Sequence, residues 1–153
     1  MTDRFSRRAF IVAGAASATL LAWPAMSAAA AAKPKMTTYR SPSCGCCGKW
    51  IDAARAAGFA VTVVATDDIY AIKSKHGVPD ELVSCHTTLV GGYVVEGHVP
   101  FDAVRRLLAR RPKVKGIGVP GMPLGTPGME APDGRKQPFK VMAFSASGKV
   151  SAF

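Results

Sequence analysis

Three of the four cysteines crowd into Cys44-Gly45-Cys46-Cys47, directly after the turn residues Ser41-Pro42-Ser43. No other feature constrains the chain as much. Four cysteines are too few for a disulfide-dense scaffold, and three in four positions are not explained by packing. The segment Met36 to Arg40 before them reads as a strand. After them Trp50, Ala53, Ala54 and Ala57 recur at helical spacing until Gly58 supplies a stop. Ser43 is the expected helix cap. The cysteines therefore belong at a strand-to-helix junction, where the helix N-terminus favours a thiolate.

The flanking pattern extends this unit. Phe59 to Val64 is a nearly continuous apolar run, which predicts a strand buried on both faces and parallel to the first. Thr66 or Asp67 is placed to cap a short helix with Ile69 and Ile72 inward and Gly77 at its end. Thr87 to Val90 and Tyr93 to Glu96 flank Gly91-Gly92, a two-residue loop of the hairpin type. Pro100 then opens a helix built on Phe101, Val104, Leu107 and Leu108, stopped before Pro112. The order β-α-β-α-β-β-α, with cysteines at the first strand-to-helix junction, is the thioredoxin-like arrangement of an α/β chain. Gly116 to Pro132 holds five Gly and four Pro in 17 residues around Met122 and Met129. Such a segment predicts neither a helix nor an interior strand, but a long functional loop. Phe139 to Phe144 and Lys149 to Phe153 read as a closing hairpin at the sheet edge.

The N-terminus reads as a twin-arginine-type export signal over residues 1–32, with Ser6-Arg7-Arg8-Ala9-Phe10-Ile11 ahead of the uncharged stretch from Ala9 to Ala32. Small residues at Ala25, Ser27, Ala28 and Ala30 offer cleavage sites. The competing reading is an uncleaved membrane anchor. Losing Arg4, Arg7, Arg8 and Asp3 from 20 basic and 10 acidic residues leaves 17 and 9, a net charge of +8 for residues 33–153. An exported protein meets little nucleic acid, so this charge points to solubility or to surface contact with anionic membranes or proteins. The cluster Arg105, Arg106, Arg110, Arg111, Lys113 and Lys115 is expected to be a solvated helix face. A periplasmic, basic monomer is the default.

Cys44 and Cys47, three apart on one helix face, suit either reversible disulfide exchange or a soft metal. Cys46 decides between them, because a third thiol beside a dithiol invites wrong pairing. On a regular helix Cys46 faces away from Cys44, so it predicts an irregular first turn or a site larger than one ion. Cys85 and His86 precede the strand Thr87 to Val90, in the loop that faces the redox motif of such folds. Cys85 is therefore expected near Cys44 and Cys47. Soft sulfur ligands select Cu(I) first and Zn(II) next; a thiolate-bridged, polynuclear copper centre tolerates the crowding that a closed zinc tetrahedron resists. His86 is a further ligand candidate, with His98, Met122 and Met129 behind it; His76 reads as a solvated cap. Two structural disulfides are the alternative for the four cysteines.

The blocks Ser41-Pro42-Ser43-Cys44-Gly45-Cys46-Cys47-Gly48-Lys49-Trp50, Ser84-Cys85-His86-Thr87, Gly91 to Pro100 and Val119 to Glu130 resemble the small periplasmic metal-binding family that includes the bacterial copper-resistance protein CopG. (The ribbon-helix-helix repressor of that name is unrelated.) The resemblance runs from Met36 to Phe153. It implies a thioredoxin-like domain over residues 33–153 that binds copper through Cys44, Cys46, Cys47 and Cys85, for copper resistance or Cu(I)/Cu(II) conversion. His86 and His98, and Met122 and Met129, fall within its matching blocks. Partners are then copper ions and other periplasmic copper-handling proteins. The rival function is a thiol-disulfide oxidoreductase using Cys44 and Cys47, and a third is a chaperone that hands copper on through the basic face.

Overall fold

The computed structural model describes residues 32–153; the export-signal reading of residues 1–32 falls almost wholly outside them. The described residues form a mixed α/β domain with one seven-stranded sheet and three α-helices. Strand β1 (Lys35–Arg40), helix α1 (Gly45–Ala56) and strand β2 (Ala60–Ala65) form the expected unit, with β1 and β2 parallel. Helix α2 (Ile69–Lys75) and a 3-10 turn (Asp80–Leu82) lead to the hairpin β3 (His86–Val90) and β4 (Tyr93–Glu96), then helix α3 (Phe101–Arg110). This is the β-α-β-α-β-β-α order read from the periodicities. Strands β5 (Gly116–Gly118), β6 (Met142–Phe144) and β7 (Val150–Ala152) complete a sheet ordered β2-β1-β3-β4-β5-β6-β7. The closing hairpin is present as β6 and β7, and β7 forms one sheet edge.

Alternation along β4 shows how the sheet is covered. Val95 joins the larger core with Trp50, Ile51 and Ala54 of α1 and Ala103, Val104 and Leu107 of α3. Its neighbour Val94 joins a second cluster with Val78, Leu82 and Phe144. Helices α1 and α3 thus cover one face, and the segment around the 3-10 turn covers part of the other. No helix among the described residues is long and apolar enough to cross a membrane.

Four local expectations need correction. Strand β2 is an edge strand rather than one buried on both faces: only Val61 is half-buried, and Val63 and Val64 are 40% and 37% exposed. An apolar β-branched run signals a strand but not its place in the sheet. Gly116–Gly118, assigned to loop, is an interior strand between β4 and β6. A Cβ at Gly116 would collide with the Val94 carbonyl and the Phe144 ring, so the absent side chain is what lets β5 insert. Helix α1 is N-capped by Cys44 without a side-chain bond, while Ser43 Oγ pairs with Ser41 Oγ at 3.1 Å. Helix α2 is capped by Asp68, whose Oδ1 accepts the Ala71 N–H at 2.9 Å, one residue beyond the expected caps.

The basic face of α3 is exposed as expected at Arg105 and Arg110. Its stems still pack: the Arg105 guanidinium lies 5.6 Å from the Phe59 ring centre and Arg106 4.9 Å from that of Phe153.

Candidate metal centre

Cys44 precedes α1 in extended conformation (φ −76°, ψ 99°), and the helix begins at Gly45. The spacing Cys44–Cys46 therefore spans a helix start rather than a helix turn. Cys46 does not face away: its Sγ lies 3.6 Å from Cys44 Sγ and 3.8 Å from Cys85 Sγ. The first turn of α1 is regular; the extended backbone of Cys44, just ahead of the helix, is what brings the two sulfurs together. Cys47 is fully buried at the base of the group. The Sγ atoms of Cys44, Cys46, Cys47 and Cys85 all fall within 4.8 Å of one another.

Two of the four are not thiols. Cys44 and Cys47 form a disulfide, while Cys46 and Cys85 are free. The expectation of four thiols is thus met in position but not in oxidation state, and a two-disulfide arrangement is not what the chain adopts. The oxidised pair must gain two electrons and two protons before all four sulfurs can act as ligands.

Cys85 joins a second group. Its Sγ lies 3.0 Å from His98 Nε2 and 3.3 Å from His86 Nδ1, and these ligand atoms also fall within 4.8 Å of one another. His98, a lesser ligand candidate in the sequence, is fully buried. Its Nδ1–H donates to the Pro127 carbonyl at 2.7 Å, which leaves the Nε2 lone pair facing Cys85. Among the described residues, the one buried side-chain nitrogen or oxygen without a hydrogen-bond partner is His86 Nε2. A buried orphan of this kind costs about 1–3 kcal/mol; it is not the ring nitrogen that faces Cys85, which is Nδ1. Sulfur and imidazole together fit a soft or borderline metal ion. His76, by contrast, caps the end of α2 as read from the sequence.

The Gly/Pro/Met segment closes one side of the group. Gly128 (φ +80°) sits so close to α1 that a Cβ would strike the Trp50 backbone, and Ser84 Oγ donates to the Gly121 carbonyl. Met122 is half exposed with its Sδ 3.8 Å from Cys46 Sγ. Met129 instead lines an adjoining cavity with Gly45, Cys46, Lys49, Leu124 and Gly128. The loop thus brings one methionine sulfur to the cluster and leaves the other beside it.

Burial disfavours the charged forms of Cys85, His86 and His98. Burial, reinforced by the nearby Cys46 sulfur, pushes the Cys85 thiol up to about 12. Burial also holds His86 well below the ordinary imidazole value, aided by His98, Lys73 and Arg40. His98 is lowered by burial too, against the opposing pull of the Pro127 carbonyl and Glu130. The unfolded chain takes up protons near pH ~6.5 that the folded imidazoles refuse. The stability this confers is present above that pH and lost as pH falls through it toward the depressed folded values. The unfolding free energy of the metal-free protein, measured by urea titration, should therefore be lower at pH 5 than at pH 7.5, by up to about 1.4 kcal/mol per pH unit for each imidazole. A flat profile would show that neither imidazole is held neutral.

Two charged residues of this region escaped the sequence reading. Lys73 of α2 and Glu96 of β4 are buried and paired at 2.6 Å behind the Cys85-His86 segment. Lys73 carries no periodic signal that separates it from an exposed lysine, so only the fold reveals the pair.

Residues 82–129 match a family described as "Protein of unknown function, DUF411". Among solved structures, two chains named copper resistance protein CopG, form 2 and form 1, superpose with TM-scores of 0.74 and 0.73. Each is 41% identical over 78% of this chain and 95% of its own length. No curated protein matches.

Proposed function

The chain belongs to the family of the copper resistance protein CopG, and from that premise we propose that it is a periplasmic copper-binding protein of resistance or homeostasis. Residues 1–32 act as a twin-arginine-type signal and are removed, leaving residues 33–153 as the working domain. The order of its first seven elements supports a thioredoxin-like core. Once the Cys44–Cys47 bond is reduced, Cys44, Cys46, Cys47 and Cys85 hold Cu(I) as thiolates. His86 and His98 add imidazole nitrogen, which makes Cu(II) accessible at a site that thiolates alone would restrict to Cu(I). Met122 contributes a thioether at the exposed rim, and Met129 lines the adjoining cavity. The observation that carries this reading is that four cysteine sulfurs lie within 4.8 Å of one another and that one of them, Cys85, also forms a second such group with His86 and His98.

The Cys44–Cys47 disulfide at a helix start favours a second reading, a thiol-disulfide oxidoreductase with Cys44 as nucleophile and Cys47 as resolving thiol. Titration of the anaerobically reduced protein with Cu(I), against Zn(II) and a free-thiol count, separates the two. The copper reading expects more than one Cu(I) per chain with all four thiols protected. Absence of tight copper, with Cys44 and Cys47 cycling against a dithiol reductant, would replace it by the oxidoreductase.

A further inference from the structure

The Lys73–Glu96 pair is 2% and 0% exposed, with Nζ 2.6 Å from Oε1. A buried ion pair is seldom more stabilising than apolar residues of the same volume, so its presence calls for a role other than stability. The other contacts of Glu96 supply one. Its Oε1 also accepts the Ser84 N–H at 2.7 Å, and its Oε2 accepts the Thr87 hydroxyl at 2.7 Å. Thr87 Oγ1 in turn accepts from Lys73 Nζ at 3.1 Å. Ser84 and Thr87 are the residues on either side of the Cys85-His86 dipeptide. Cys85 itself lies just before β3, outside the β-ladder, so strand pairing does not hold it.

We propose that the Lys73–Glu96 pair is a positioning device for Cys85-His86, gripping the chain on both sides so that Cys85 Sγ stays within reach of both Cys46 Sγ and His98 Nε2. The proposal rests on the copper reading for its purpose, though not for its geometry. A carboxylate suits the task because its two oxygens accept three bonds from different directions, and bonds to a charged acceptor are roughly twice as strong as neutral ones. Lys73 supplies the countercharge without which the buried carboxylate would be expelled or protonated.

The test compares Lys73→Met/Glu96→Met, which keeps volume but removes both grips, with Lys73→Met/Glu96→Gln, whose amide can still accept from Ser84 and bond Thr87. The metal-free readout is the effective concentration of Cys46 and Cys85 toward each other. Oxidised glutathione takes the two electrons, and the bridged peptide is counted by mass spectrometry in protein whose Cys44–Cys47 bond is formed. The Met/Met variant should lose about tenfold in effective concentration, a typical effect of removing a group that orients a ligand. Its thermal midpoint should match or exceed that of the unsubstituted protein, while Met/Gln recovers most of the loss. The Cu(I)–thiolate absorption of the Met/Met variant should shift in parallel.

An unchanged effective concentration in the Met/Met variant, or no recovery with Gln, would assign the pair to packing and overturn the proposal. Should the Met/Met variant fail to fold, Thr87→Val removes one grip and is expected to lose about threefold, and no loss there would overturn it. If the unsubstituted protein takes up no Cu(I) while the thiol readout still falls, the copper reading fails and the positioning role stands.

Discussion

Cys85→Ser should weaken Cu(I) binding by more than about 100-fold, beyond the 10–100-fold typical of losing a group that only supports a ligand. Cys85 is the one residue common to the four-cysteine group and the Cys85–His86–His98 group. Its Sγ lies 3.8 Å from Cys46 Sγ and 3.0 Å from His98 Nε2, so losing it separates sulfur donors from imidazole donors. A hydroxyl is a hard and barely acidic replacement for a thiolate, poorly matched to Cu(I). Cys85 is half-buried, so the fold should hardly notice the exchange. Competition against a chromophoric Cu(I) chelator, with circular dichroism as the folding control, measures the effect. Unsubstituted affinity in Cys85→Ser would place Cys85 outside the site.

Trp50→Ala is expected to be the most damaging single change to the fold, by about 3–5 kcal/mol. Trp50 is fully buried in the middle of α1, three residues after Cys47. Its ring centre lies 4.7 Å from that of His86 and 5.2 Å from that of Phe101, and Nε1–H donates to the Val99 carbonyl at 3.2 Å. Truncation opens a cavity behind the Cys85–His86–His98 group and strands that carbonyl. The thermal midpoint should fall by roughly 10–20 °C for a domain of this size. Trp50→Phe, which keeps a ring but not the N–H donor, should cost only about 1–2 kcal/mol. The second consequence falls on His86, which is held neutral chiefly by burial. Water admitted by the cavity should raise its proton affinity toward the ordinary imidazole value, as NMR titration would detect. A midpoint within a few degrees of the unsubstituted protein would show that the neighbouring rings close over the gap.

How much of this was legible in the residues depends on the range of the interaction. Periodicity and turn chemistry act over a few residues, and they placed β1, α1, the Gly91-Gly92 hairpin and α3. They failed at Gly116–Gly118, where glycine reads as a loop signal until the neighbouring Val94 carbonyl and Phe144 ring show why a side chain is excluded. They failed also at β2, whose apolar run is indistinguishable from that of a central strand although it lies at the edge. The site divides the same way. Cys44, Cys46 and Cys47 declared themselves by spacing, and Cys85 by its place before β3. His98 stood in the sequence only as a lesser candidate, because its proximity to Cys85 depends on β4 ending beside β3 and on the Pro127 carbonyl meeting Nδ1.

By itself the sequence determined the alternation of elements, the strand-to-helix junction that carries the cysteines, and the soft-metal character of the donors. These follow from residue type and short spacing, which no tertiary arrangement alters. Tertiary structure alone decided that Cys46 meets Cys85, that Met122 approaches Cys46, and that a buried Lys73–Glu96 pair grips the chain around Cys85. Those outcomes join residues up to 76 positions apart in the chain. A sulfur contact or a buried ion pair across such a span exists only once the sheet and its packed helices have brought the segments together.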